Sequence, residues 1–304
     1  MSKSHLYEKL IKKATLSAVL ISIFLIIIKL ITCWFTGSMS LFASLLDSSI
    51  DLLASGLNFF LVRYALKPAD DDHTFGHGKA ESLAALAQSA FIIGSATILL
   101  LSSIKSIIHP TAIEFPLFGI IVSMISVVVT ATLVLYQKHV IKQTNSKAIQ
   151  ADMLHYSSDL FMNIAVIIAL FLSWYGITYA DACFAFFIAL YIFYNACKIA
   201  YSAIQDLLDK ALPESDNQRI SEIVSSYSNV RGFHDLRTRQ AGPVKFIQLH
   251  LELDDDMPLI RAHAVADAIE KHISREFAPA TVIIHQDPIS VVPLETNQLK
   301  NYSK

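Results

Sequence analysis

The chain has 304 residues, 54% of them hydrophobic and 16% charged, with a formal net charge of −2. Soluble domains average about 25% charged residues, and a balance this close to neutral excludes a basic, nucleic-acid-coating protein. Cys33, Cys183 and Cys197 sit in apolar stretches and form no CxxC pair, which excludes a disulfide scaffold and a cysteine zinc knuckle.

The charges are unevenly placed. Residues 1–210 hold 27 of the 50, and the last 94 residues hold 23. A membrane part followed by a soluble part is the expected organisation. Six apolar stretches reach or approach the length of about 20 residues that crosses a bilayer core as a helix. They run over 14–35, 39–62, 83–108, 115–136, 153–174 and 180–204. Contact with lipid demands internally satisfied backbone, so helices are expected. Lys9, Lys12 and Lys13 precede the first stretch as they would in a signal peptide. That run is too long for an h-region and has no small-residue cleavage site.

Basic residues mark alternate connections. Lys3, Lys9, Lys12 and Lys13 precede the first span; Arg63, Lys67 and Lys79 follow the second; Lys138, Lys142 and Lys147 follow the fourth. The loops near Gly37, Pro110 and Gly176 hold no Lys or Arg, and Lys105 is the nearest exception. The positive-inside rule puts both termini in the cytoplasm of a multi-pass plasma-membrane protein.

After Asp209 the pattern changes. Pro213 closes the last long helix, and 215–228 reads as a short helix. Strands are expected at 233–240 and 244–253, a helix at 259–277 and a strand at 281–286. In the second strand Ile247, Leu249, Leu251 and Leu253 face one way, and Phe246, Gln248, His250 and Glu252 the other. This αββαβ order predicts a small open sheet with helices on one face. The fold class is a membrane α-helical bundle of six transmembrane helices plus a C-terminal α+β cytoplasmic domain. The expected parts are a cytoplasmic segment 1–13, a transmembrane domain 14–210, a soluble domain 211–292 and a disordered polar tail 293–304.

Several charged groups lie where charge is expensive. The second span holds Asp47 and Asp51, and the fifth holds His155 and Asp159. Each pair has i,i+4 spacing and so shares one helix face. An ionised Asp at the centre of a membrane helix costs roughly 2.5–3.5 kcal/mol. Lys29 is the only cation inside the first span, and it lies toward the outer end. A divalent cation would offset three carboxylates, and four O/N ligands suit tetrahedral Zn²⁺. Packing contacts or protonated carboxylates explain a lone intramembrane Asp as well as a site does, but they explain two such pairs poorly. Asn58 and Asn163 read as helix–helix hydrogen bonds, and Ala90 with Gly94 as a close-packing surface.

The connection after the second span reads Asp70-Asp71-Asp72-His73-Thr74-Phe75-Gly76-His77. Two histidines four apart beside carboxylates can ligate metal, although a solvated acidic loop is the plain alternative. In the soluble domain His234, His250, His263, His285 and Asp287 can converge from two or three strands and a helix. His5, His109, His139 and His272 read as incidental.

These residues together resemble the cation diffusion facilitator family over nearly the whole chain. The resemblance is carried by Leu45-Leu46-Asp47-Ser48-Ser49-Ile50-Asp51, by Phe75-Gly76-His77-Gly78-Lys79-Ala80-Glu81 and by Ala151-Asp152-Met153-Leu154-His155-Tyr156-Ser157-Ser158-Asp159. His234-Asp235-Leu236-Arg237-Thr238-Arg239-Gln240 and Ile283-Ile284-His285-Gln286-Asp287-Pro288 complete it.

The resemblance implies a homodimer that exports divalent metal, zinc first and then iron or cadmium, against an influx of protons. It implies a transport site of Asp47, Asp51, His155 and Asp159, and a loop site of His73, His77 and Asp70, with Asp72 the other carboxylate in reach. It implies a two-metal cytoplasmic cluster of His234, His250, His263, His285 and Asp287, with Asp287 bridging and Zn²⁺ as regulatory ligand. A metallochaperone-like fold for the soluble domain, a charge pair of Lys79 with Asp209 in the dimer, and an inner-membrane location follow from the same likeness.

Three rivals fit less well. An intramembrane hydrolase needs a HExxH helix or a glycine-flanked catalytic Asp, and neither is present. A membrane-anchored metal sensor leaves the intramembrane aspartates without a purpose. A passive channel is poorly served by tight four-ligand binding.

Overall fold

The computed structural model describes residues 3–36, 39–108, 117–174 and 180–292. The tail expected to be disordered and the turns at Gly37, Pro110 and Gly176 lie outside the described residues. The chain divides into a helical unit, His5–Ile204, and a smaller unit that begins at Gln205.

Six long helices come first: α1 (Lys3–Thr36), α2 (Met39–Ala65), α3 (Lys79–Ile108), α4 (Leu117–Thr144), α5 (Lys147–Trp174) and α6 (Ala180–Leu207). Among the described residues, four stretches are long and apolar enough to cross a membrane: Leu6–Phe35, Lys79–Ile108, Ser123–Thr144 and Ala182–Leu207. The other two helices, α2 and α5, are of similar length and carry the Asp47/Asp51 and His155/Asp159 pairs. At about 1.5 Å per residue, even the 27 residues of α2 exceed a hydrocarbon core of about 30 Å.

The outer faces of these helices carry large apolar side chains that a soluble protein would bury. Leu20, Phe24, Leu53, Phe60, Leu101, Val128 and Leu135 are all exposed, as lipid contact requires. The inner faces are made of small residues. Ala14, Ala18, Ala84, Ala85, Ala148, Ala151, Ala196 and Ala203 are all buried. Lipid supplies no hydrophobic drive between helices, so close backbone approach over small residues supplies the packing. One interior cluster joins Ile11, Val62, Ala84, Val140 and Ile149 from the first five helices. A second joins Ile92 and Ala96 of α3, Leu154 of α5, and Ile192 and Ala196 of α6.

The second unit is α7 (Glu214–Ser225), β1 (Gly232–Ala241), β2 (Val244–Leu253), α8 (Leu259–Glu276) and β3 (Ala280–Pro288). This is the αββαβ order expected from the sequence. β2 is the central strand, antiparallel to β1 and parallel to β3. The alternation in β2 decides the layering. Ile247, Leu249, Leu251 and Leu253 are all within 3% of full burial, packed with Ile220, Ile223 and Val224 of α7 and Ile269 and Ile273 of α8. The opposite face of β2 is left for polar side chains.

Candidate functional site

In the membrane unit, α2 and α5 bring Asp51, His155 and Asp159 together, with one ligand atom of each within 4.8 Å of the others. His155 Nε2 lies 3.1 Å from Asp51 Oδ1 and 4.0 Å from Asp159 Oδ2. The side chain of Asp47, the fourth expected member, lies outside the described residues. Asp51 and Asp159 line a cavity of about 200 Å³, with Ser22, Lys29, Ser126, Thr130 and Tyr156 among its other walls. Lys29 Nζ donates to Ser48 Oγ at 2.6 Å. Asn163 lines the same cavity and donates to the backbone oxygen of Asp159 at 2.7 Å, so it serves its own helix first.

Directly beside these residues on α5 are two buried polar side chains, Tyr156 and Asp152. The Tyr156 hydroxyl lies 2.6 Å from Ser22 Oγ and 2.7 Å from Ser55 Oγ, and it donates to Ala18 O at 3.2 Å. One side chain of α5 is thereby tied to α1 and α2. Asp152 is fully buried. Gln137 Nε2 of α4 donates to its Oδ2 at 2.6 Å, and Gln88 Nε2 of α3 reaches Oδ1 at 3.5 Å. Asn58 of α2 adds a further hydrogen bond. Amide donors thus satisfy a carboxylate at a depth where it could not be left bare. The motif spacing held Asp152 in plain view, but nothing in it signalled that Gln88 and Gln137 face the same point.

The loop group is Asp70, His73 and His77, again within 4.8 Å. All three successive aspartates are exposed, and it is the Asp70 carboxylate that lies within reach of both histidines. The backbone N–H of His73 donates to Asp70 Oδ1 at 2.7 Å, and His77 Nε2 is 3.3 Å from Asp70 Oδ2. The His73 backbone N–H, above all, holds the Asp70 carboxyl below the usual carboxylate range. Gly76 turns the loop with φ of +79°, a conformation that suits glycine. His77 Nδ1 is 3.1 Å from Pro68 O, which makes Nδ1 the protonated nitrogen and leaves Nε2 toward Asp70.

The third group sits on the polar face of the sheet. Strand register places His234 opposite His250, and His250 opposite His285. Asp287 lies two residues beyond His285 and so shares its face. His250 Nδ1 is 2.7 Å from Asp287 Oδ2, His285 Nε2 is 3.1 Å from Oδ1, and His234 Nε2 is 3.7 Å from Oδ2. A nearly buried carboxylate therefore meets three imidazoles, one from each strand. His263 is exposed on α8 and joins no such group among the described residues. Asp209 accepts from Arg239 Nη1 at 3.3 Å within this unit. His139 sits by Gln143, and His272 by Tyr227, as incidental histidines do.

The arrangement can hold divalent cations at three places through oxygen and imidazole nitrogen, a donor set without sulfur. Comparison with known proteins agrees with that chemistry. The cation efflux transmembrane domain matches residues 15–208, and the cation efflux cytoplasmic domain matches 212–289. The cation-efflux pump FieF of Cronobacter sakazakii is 52% identical over 95% of this chain and 97% of its own length. The FieF pump of Salmonella arizonae is 52% identical over 97% of this chain and 98% of its own length. Among solved structures, a chain of CzrB aligns with 26% of this chain and 98% of its own length at 31% identity and a TM-score of 0.25.

Proposed function

The chain belongs to the cation efflux family, a multi-pass membrane transporter and not an enzyme, and on that premise we propose that it is a homodimeric metal/proton antiporter with zinc as first substrate. Iron and cadmium are the next candidates. The observation that carries this reading is the gathering of Asp51, His155 and Asp159 around one point beside a cavity between membrane helices. Asp47, on the same face of α2 by its spacing, is the proposed fourth ligand.

The exchange follows from ligand chemistry. A metal ion and protons compete for the same lone pairs on carboxylate and imidazole. Metal enters from the cytoplasm as protons leave the ligands. Protonation of His155 and at least one carboxylate on the outer side releases the metal. Two arrangements of six spanning helices, opening the site to one side and then the other, complete the cycle. The basic loops put both termini in the cytoplasm, of the inner membrane if the cell has two.

Asp70, His73 and His77 form a second, loop metal site in this reading. His234, His250, His285 and Asp287, with His263, form the cytoplasmic cluster. Metal there rigidifies the dimer and biases the spanning helices, a coupling between sites. Lys79 and Asp209 are assigned to the dimer contact.

The test is flux into proteoliposomes under an imposed pH gradient, with a panel of divalent metals. Uptake of Zn²⁺ that moves protons the other way and stops when the gradient is collapsed is expected. Metal flux indifferent to the gradient would remove the antiport step.

A further inference from the structure

Glu252 stands on the polar face of β2, where a glutamate is ordinarily a solvated surface group. Here its side chain is only 18% exposed, and its Oε1 lies 2.9 Å from His234 Nδ1. Register explains the meeting. His234 pairs with His250 across the ladder, so Glu252, two residues on, is its diagonal neighbour on the same face.

The residue directly opposite Glu252 is Gly232. A Cβ at position 232 would fall 2.5 Å from Glu252 Oε2, closer than non-bonded atoms approach, so the carboxylate at the end of that flexible side chain would have to move. The missing side chain at 232 is therefore the space into which the Glu252 carboxylate is folded. Gly232 opens β1 and is already paired with Glu252 in the ladder, at a place where glycine supplies no side chain to pack. Its presence is explained by this close approach.

We propose that Glu252 is a positioning residue for metal binding at the cytoplasmic cluster, that it fixes the ring of His234, and that Gly232 keeps the space it needs. A carboxylate only accepts hydrogen bonds, so His234 Nδ1 carries the hydrogen. Nε2, on the Asp287 side at 3.7 Å from Oδ2, then has its lone pair for a cation. A carboxylate behind a ligating imidazole also makes that imidazole a stronger donor. The inference rests on the cytoplasmic cluster being a metal site.

Full-length protein carrying Asp51→Ala and His77→Ala, with the membrane and loop sites disabled, is titrated with Co²⁺ and followed by its d–d absorption. Glu252→Ala should weaken Co²⁺ binding by about 10–100-fold and alter the band shape. Gly232→Ala, which touches no ligand, should do the same by displacing the carboxylate. Glu252→Gln, whose Oε1 can still accept from Nδ1, should lose less. The thermal midpoint of each metal-free variant reports whether it is folded, and Glu252→Gln keeps the test open if either alanine variant is not. Parental affinity and spectrum in all three variants, with binding lost in His234→Ala, would overturn the role of Glu252 and leave the metal site standing. Co²⁺ binding that His234→Ala does not change would overturn the site and the inference together.

Discussion

In the membrane unit, Asp51, His155 and Asp159 come from two helices, with Asp51 and Asp159 lining a cavity, and among the described residues α2 and α5 are joined by side chains such as Tyr156 and Ser55 rather than by a backbone ladder. In the C-terminal unit, His234, His250 and His285 stand at one level of three hydrogen-bonded strands, with Asp287 beneath them. The side-chain types are the same, but the scaffolds differ in what they permit. Helices packed over small residues can shift relative to one another without breaking backbone bonds, whereas strands cannot. The first scaffold suits a site that must change its exposure. The second suits one that must keep its shape. The loop group stands between them: His77 is anchored through Pro68, and Asp70 is exposed.

The strongest way to break this contrast is to remove a membrane ligand. Asp51→Ala should reduce metal-for-proton exchange in proteoliposomes to background while the protein stays folded. Transport at the parental rate would leave the helix-borne group without a function. Next in size, His234→Ala should lower metal affinity of the cytoplasmic cluster by about 100-fold or more, beyond the cost of losing an outer partner. Part of the transport should survive in it, because its scaffold is separate. Complete loss of flux in that variant would show that the rigid cluster is required for the moving one.

Asp152→Ala tests whether the helix bundle has a fixed part. The variant strips buried amides of Gln88, Gln137 and Asn58 of their acceptor, and each stranded donor costs about 1–3 kcal/mol. The thermal midpoint in detergent should fall clearly. An unchanged midpoint would mean that the bundle repacks around the gap, and that its helices are held by apolar packing alone. The smallest effect is expected at Arg231, whose guanidinium donates to both carboxylate oxygens of Asp254 at 2.7 and 3.0 Å. The side-chain hydrogen bond from Arg231, above all, holds the Asp254 carboxyl below its ordinary value. That stabilisation is present above the unfolded carboxylate value of about 4 and is lost as pH falls through the lower folded value. Arg231→Gln should therefore melt slightly below the parent at neutral pH, and the two midpoints should merge in acid. A difference that persists at low pH would assign the effect to packing.

The sequence made some of this readable and hid the rest for physical reasons. Alternation in β2 announces both its core face and its ligand face, because a strand gives each residue only two directions. The i,i+4 pairs announce the proposed membrane ligands, because charge there is too costly to be casual. Glu252 was on the right face but unremarkable, since a glutamate on a polar face is the ordinary case and only register brings it to His234. Gln88 and Gln137 were invisible for the same kind of reason. Their meeting at Asp152 depends on how three helices pack, which no local spacing encodes. His263 matches the family pattern in sequence yet stands exposed on α8 in the chain.

β2 also has a consequence for quality control. One of its faces is the core and the other holds His250 and Glu252. A pairing slip of one residue would turn Leu249 and Leu251 outward and carry His250 into the core. A misthreaded chain would thereby lose the proposed cation site along with its stability. If that site holds metal, its occupancy is a proofreading signal, acquired only by molecules whose strands have found the right partners.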